Sequence, residues 1–576
     1  MFFGNFYEIK ILWKNLPQVS NIVQNNGSEN SLVAVISGAS RVLSGEAELP
    51  GDAGQWYFAA SRPILHDGPD TPIAEFPYFS FLYADLHPHL LTMPFYALAL
   101  AWCLNMILDP IFSKKWWERI LTLFLGSLFI GSFRALHTWD FPTFIGLGVL
   151  VMTWIILKKR NSEIRQKLQS ILIYCLSFVI LTMILYSPFT HWFKTEYIGV
   201  EIWKGLRTPL KDYFVVFGLS LFIMFSLLIL ELKEDYQKAR SLWFEKTSVK
   251  SLIPISVIAV VIFGMVLLWK NDYQILALGL PLILLWGYII FLKKDVSEYR
   301  RLIWILFAIG YGITFVVEVL VLKGDVGRSN MVFRMYLEAW FILGIALSVA
   351  ALEIFKKLKE WRPLRRVGWV VVLQLLVLLA LVYPFIATGK KINDRWPSTQ
   401  NPVKSLDGSL FMLGDKLINP DLLPAVYSDD GREIDLSMDY AGIQFMQDNI
   451  SGSPVIVEGH TTEYRWGARY AIHTGLPSVI GWSWHTRQHN SLLDGSIFDK
   501  RIQEVVDFYN TTDMDAANQF LKKYHVRYII VSGLERVYYS AEGIDKFAEM
   551  TSQGQLNIVF GDQTDNSATI YEVIQN

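Results

Sequence analysis

The stretch AEFPYFSFLYADLHPHLLTMPF, Ala74 to Phe95, sets two carboxylates (Glu75, Asp85) and two histidines (His87, His89) among aromatics, at the entry to a long apolar run. Charged and imidazole groups at the edge of hydrocarbon are costly to desolvate, so they serve a ligand or a helix end. The run they introduce is the first of ten that approach the roughly 20 apolar residues a spanning helix needs. These lie at about 89–109, 119–135, 141–157, 168–188, 213–231, 251–269, 274–292, 302–322, 335–355 and 367–387. The fold class expected is therefore mainly α, a polytopic helical membrane bundle.

Composition agrees with that expectation. The 576 residues are 52% hydrophobic, 14% aromatic and only 18% charged, too apolar for a purely soluble chain. The net charge of −1 carries no basic field, which excludes nucleic acid as an expected partner. The two cysteines, Cys103 and Cys175, fall inside apolar runs, so no disulfide framework or cysteine metal site is available. Gly-rich nucleotide motifs are absent, and no nucleotide cofactor is expected.

Loop charges orient the bundle. Lys114, Lys115 and Arg119, then KKRNSEIRQK from Lys158, five cations between Lys233 and Lys250, KKDVSEYRR from Lys293 and KKLKEWRPLRR from Lys356 follow alternate spans. By the positive-inside rule those loops are cytoplasmic, and the alternation holds through all ten spans. The Ala74–His89 stretch, FRALHTWDFP from Phe133, the loop from Thr190 to Tyr213, KGDVGRSNMVFR from Lys323 and everything beyond 387 then share the outer side. Residues 1–88 form an external or interfacial segment in this topology, and further spanning helices are expected ahead of it. Residues 388–576 turn polar after a Pro/Asn/Ser-rich linker. SPVIVEG and VRYIIVSG read as strands, and DMDAANQFLKKYH reads as a helix capped by Asp513 or Asp515, so an extracytoplasmic α/β domain is expected.

The polar residues of the outer side are the candidate site. In extended geometry Asp85, His87 and His89 alternate onto one side, as a divalent metal ion or a base with its orienting partners requires. The competing reading is a helix entry, with Pro88 in the first turn and Asp85 or His87 as cap. Arg134, His137 and Asp140 share a short loop beside Trp139. Asp140 there is either a second acid with Arg134 on a phosphate, or a cap beside an interfacial Trp. Arg328 and Arg334, near Asp325, carry the planar fork that suits phosphate, although an external arginine also snorkels. Glu318 inside a span requires a partner, Lys323 or an arginine. In the tail, Glu463, Arg465, Arg469, Trp482, Trp484, His485, Arg487 and His489 combine aromatic faces with hydrogen-bonding groups. That mixture suits a sugar or glycan and equally a docking surface.

Six blocks, EFPYFSFLYADLHPH, ALHTWDFPT, RSNMVFRMYLEAW, SLDGSLF, EYRWGARYAIHTGLPSVIGW and KKYHVRYIIVSGLERVYY, together resemble a family of multi-spanning membrane proteins of Chloroflexi and archaea named for a Tyr-Tyr-Tyr motif. That family is grouped with the GT-C superfamily of membrane glycosyltransferases. The resemblance implies an integral protein of the prokaryotic cell membrane that takes a sugar from a polyprenyl-phosphate donor on the outer face and passes it to a glycan, lipid or protein acceptor. It implies Asp85, Glu75 and Asp140 as candidate acids, with His87, His89, Arg134, His137, Arg328, Arg334, Trp482 and Trp484 around the substrate. A divalent metal would sit on Asp85, His87 and His89. The family's upstream block, with its acidic loop and triple tyrosine, has no counterpart here, and GT-C enzymes usually carry the key aspartate in the first external loop. Whether Asp85 or a residue of that block is the base stays open. The same polar groups would serve a transporter or flippase of lipid-linked saccharides, or a non-catalytic envelope assembly protein.

Overall fold

Each of the ten apolar runs folds as a helix in the computed structural model, which describes residues 2–21, 32–65, 71–84, 86–159, 162–193, 199–245, 252–323, 327–395, 405, 407–429, 431–490, 493–564 and 567–574. Asp85 and Asp325 lie outside these residues. The helices are Pro88–Leu108, Trp116–Gly131, Phe141–Leu157, Ile164–Leu185, Leu210–Glu245, Leu252–Lys270, Gln274–Gly287, Glu298–Val316, Gly327–Lys357 and Pro363–Arg395. Among the described residues, eight helical segments are long and apolar enough to cross a membrane. Phe141–Leu157 and the described apolar part of the sixth helix, Val257–Lys270, are shorter than that limit. At 1.5 Å per residue a 17-residue helix rises about 26 Å, a little less than the ~30 Å of hydrocarbon.

The chain divides into two compact units, one of residues 1–192 and 197–394 and the other built on residues 395–576. In the first, Glu298–Val316 and Gly327–Lys357 pack along each other and bury Trp304, Phe307, Tyr311, Leu343 and Ala346. Pro88–Leu108, Phe141–Leu157 and Ile164–Leu185 close a second core around Tyr96, Phe144 and Phe178. Ile164–Leu185 also exposes Leu168, Leu172, Ile173, Leu176 and Ile180, an apolar surface that lipid satisfies and water does not. Strands β1 (Gly199–Ile202) and β2 (Leu320–Lys323) pair as an antiparallel hairpin between loops of the bundle. Ahead of the first span, Phe76 and Phe79 seat the short helix Pro77–Tyr83 against Tyr383 and Ala387.

In the second unit, β3 (Val426–Asp429) and β4 (Arg432–Asp435) form a hairpin, and β5 (Val455–Val457), β6 (Val526–Val531), β7 (Leu556–Phe560) and β8 (Thr569–Val573) form one sheet in the order β5-β6-β8-β7. β5 and β6 are parallel, as a strand reached through helices requires, and β8 runs antiparallel to both its neighbours. The helix Met514–Tyr524 feeds β6. Its cap is Asp513, whose carboxylate accepts from the N–H groups of Asp515 and Ala516.

Candidate functional site

The polar residues of the opening stretch meet those of the Phe133–Pro142 loop at one end of the bundle. Pro88 takes the first position of its helix, as expected, with His87 at the N-cap position, but the His87 side chain makes no capping bond. Helical backbone beyond Pro88 breaks the two-residue alternation, so His87 and His89 do not act as a pair of extended-strand neighbours. His89 turns inward, only 3% exposed, and places Nε2 3.1 Å from Glu75 Oε2, which also accepts from the Ser80 hydroxyl at 2.6 Å. His87 stays exposed with its ring 5.2 Å from that of His89, and both rings meet Phe333 edge-on.

Asp140 is fully buried, and its role differs from the cap that its position suggests. It occupies the N-cap of Phe141–Leu157 without a side-chain capping bond. Its Oδ2 instead accepts from the Tyr96 hydroxyl at 2.6 Å and lies 2.8 Å from His137 Nδ1, while Oδ1 has no hydrogen-bond partner. Tyr96 is reached through Thr92, whose hydroxyl bridges it to the His89 carbonyl. Glu338, one helical turn beyond Arg334, is a charge neighbour of Asp140, is 0% exposed, and has neither carboxylate oxygen hydrogen-bonded. Buried carboxylates without partners are expensive, by roughly 1–3 kcal/mol for each unmet group, and more when charged. The cations of this end lie beside it on aromatic faces. The Arg334 guanidinium is 4.9 Å from the Trp139 ring centre, and that of Arg134 is 5.3 Å from Phe141 and hydrogen-bonded to Thr190.

Arg328 sits elsewhere. It is 2% exposed and paired at 2.5 Å with Glu318, whose other oxygen accepts from the Thr208 N–H. The arginine partner expected for Glu318 is thus Arg328, which ties the loop at Thr208 to the end of Glu298–Val316. Freeing this guanidinium for a phosphate would strand a buried carboxylate, a cost of about 3–5 kcal/mol. No hydrogen bond joins this clamp to the Asp140 network. Among the described residues no three His, Cys, Asp or Glu side chains converge as a metal site. His89 is committed to Glu75, and the third expected ligand, Asp85, lies outside the described residues.

In the second unit Arg469 is a core residue. Its guanidinium meets Asp439 at 2.7 Å, Glu535 at 2.8 Å and Glu458 at 3.8 Å, all buried. Burial pushes the Glu458 carboxyl up to about 7, against the pull of Arg469 and two backbone N–H groups. Trp482 and Trp484 gather instead around the loop before Arg469. The Tyr464 and Trp482 ring centres are 5.2 Å apart, His485 contacts Tyr464, Trp482 and Trp484, and its Nε2 is 3.3 Å from the Tyr464 hydroxyl. Glu463 fixes the group by accepting from the Ser483 hydroxyl at 2.6 Å and from the Trp484 N–H. Burial opposes the charge on Glu463, but these bonds outweigh it and hold the carboxyl below its usual range. Tyr464 has φ of +64°, a left-handed backbone that costs a non-glycine residue about 1–3 kcal/mol. Its ring nevertheless points outward, 70% exposed, beside Trp484 at 45%.

Sequence reasoning passed over Tyr96 and Glu338. Tyr96 carries no signal of its own inside an apolar run, whereas a carboxylate one turn into the ninth span is itself the mark of an intramembrane site.

Two solved structures of an oligosaccharyltransferase from Archaeoglobus fulgidus are similar to the chain at 11% identity. One is the archaeal enzyme AglB in complex with an inhibitory peptide and a dolichol-phosphate, with a TM-score of 0.26; the other is the apo form, at 0.27. Each alignment covers 92% of this chain, which spans 65% and 62% of those chains, under two thirds of their length. Superposition at that level does not define a common fold. No curated protein matches the sequence significantly. The family model described as uncharacterized membrane protein (DUF2298) matches residues 9–343, more than half of the chain, and the protein belongs to that family.

Proposed function

We propose that the protein is a GT-C-like membrane glycosyltransferase acting on a polyprenyl-phosphate-linked sugar at the outer face. The observation that carries this reading is Asp140, a buried carboxylate held on one oxygen by Tyr96 and His137 with the other oxygen unpartnered. Such a group is oriented to accept a proton. The acceptor hydroxyl would hydrogen-bond to Oδ1, its oxygen would attack the anomeric carbon, the carbon–oxygen bond to the phosphate would break, and the proton would pass to Asp140. Arg134 and Arg334, beside the same loop, would neutralise the departing phosphate. Glu75, through His89, would hold the wall of the site.

Asp140→Asn keeps the shape and removes the base. In reconstituted protein given polyprenyl-phosphate sugars and candidate acceptors, we expect transfer to fall by about 10²-fold or more. Full transfer by this variant would remove Asp140 from the mechanism.

Glu338 supports a second reading. A carboxyl without partners inside a span is what a translocation path for a lipid-linked saccharide would use. Scrambling of labelled donor across proteoliposomes without any transfer, lost in Glu338→Gln, would favour the flippase.

A further inference from the structure

We propose that Tyr464, Trp484 and His485 form a stacking site for a pyranose unit, and that the saccharide bound there is the acceptor of the transfer proposed above. Only the second half rests on that reading. A pyranose presents an apolar C–H face and an edge of hydroxyls. Recognising it takes an exposed aromatic face beside fixed hydrogen-bonding groups. The loop supplies both. Tyr464 and Trp484 are among the exposed large side chains of the second unit, and His485 lies against each of them. Glu463 Oε1 takes the Ser483 and Trp484 bonds, which leaves Oε2 outside those two contacts.

The backbone gives an independent reason. Tyr464 is held at φ +64°, and Ala468, four residues on, at +61°. Glycine would relieve the strain at Tyr464, and a ring so little buried contributes little packing in return. A strained residue whose side chain faces outward is retained for what it meets there. The charge pattern opposes a lipid surface as the occupant. Interfacial aromatics that seat a domain on an anionic bilayer keep company with unpaired cations, whereas this group carries a carboxylate, and nearby Arg487 is paired with Asp499.

The full-length protein in nanodiscs would be titrated with fluorescently labelled neutral oligosaccharides of glucose, mannose and N-acetylglucosamine. Saturable binding of at least one is expected. Trp484→Ala and Tyr464→Gly should each weaken it by about tenfold or more, the factor expected for one lost stacking contact. Tyr464→Phe and Trp484→Tyr keep a ring and should bind within a few-fold of the parent. Tyr464→Gly should melt at or above the parent temperature, which a merely structural tyrosine would not permit. Asp140→Asn should bind normally, so loss of transfer and loss of binding report on different residues. If no neutral oligosaccharide binds, if both ring-deleting variants bind as the parent does, or if they lose affinity only for anionic vesicles, the proposal is overturned.

Discussion

Glu458 and Lys546 lie in the same C-terminal unit with opposite electrostatic costs. Glu458 is pushed up to about 7 by burial. Lys546, 3% exposed between the rings of Phe508 and Phe547, is pushed down to about 7 by burial. From its unfolded value near 4.3 up to about 7, Glu458 binds a proton in the folded state that the unfolded chain has lost, so its contribution to stability falls as pH rises. From about 7 to the unfolded lysine value near 10.4 the unfolded chain holds a proton that folded Lys546 lacks, so stability rises with pH. The two windows adjoin, and this unit should be least stable near neutrality, with each arm on the order of 2–4 kcal/mol. Thermal denaturation followed from pH 5 to 9 should show that minimum. Glu458→Gln should flatten the acid arm only, and Lys546→Met the alkaline arm only. A curve that rises steadily through pH 5 to 7 would show that Glu458 is ionised throughout.

At the scale of the element, close approach decides where the helices sit. A Cβ on Gly126 would lie 2.3 Å from the indole of Trp102, whose Nε1–H donates to the Thr122 carbonyl one turn away. Pro88–Leu108 and Trp116–Gly131 therefore touch through a glycine, the small-residue packing that membrane helices use where no hydrophobic force separates helix from lipid. Gly126→Val should lower the melting temperature in detergent by several degrees, because backbone and indole would have to part. The same change at Gly146, where a Cβ meets nothing within 4 Å, should be nearly silent. Elements were the legible part of this sequence. Hydropathy is local, and Pro88, Asp513 and the glycines closing the strands mark ends by mechanisms confined to a few residues. The candidate site was legible only by half. His137 and Asp140 drew attention because they stand together in a short loop, and Glu75 and His89 because they share one stretch. The Tyr96–Asp140 bond joins residues 44 apart, and Glu338 reaches Asp140 from a different helix. Side-chain direction there is set by packing, which a single sequence does not display. Arg328 shows the same limit from the other side: its fork suits phosphate, but only the fold reveals Glu318 at 2.5 Å.

For the whole molecule, the alternation of cationic loops makes a prediction that the helices alone do not. Helix length and composition are symmetric with respect to the two faces of a membrane; loop charge is not. If the Lys- and Arg-rich loops are cytoplasmic, Asp140, His89 and residues beyond 395 all belong to the outer face, where a polyprenyl-phosphate sugar would be met. Both native cysteines are buried, so a single introduced thiol reports its own location. Lys359 and Ser552 are exposed, the first in KKLKEWRPLRR and the second in the C-terminal unit. In intact cells a membrane-impermeant maleimide should label Ser552→Cys and spare Lys359→Cys, and permeabilisation should make both reactive. The reverse pattern would turn the bundle over and place the candidate site in the cytoplasm. Transfer from an outer-leaflet donor would then be impossible for this geometry, whatever Asp140→Asn does to activity in detergent.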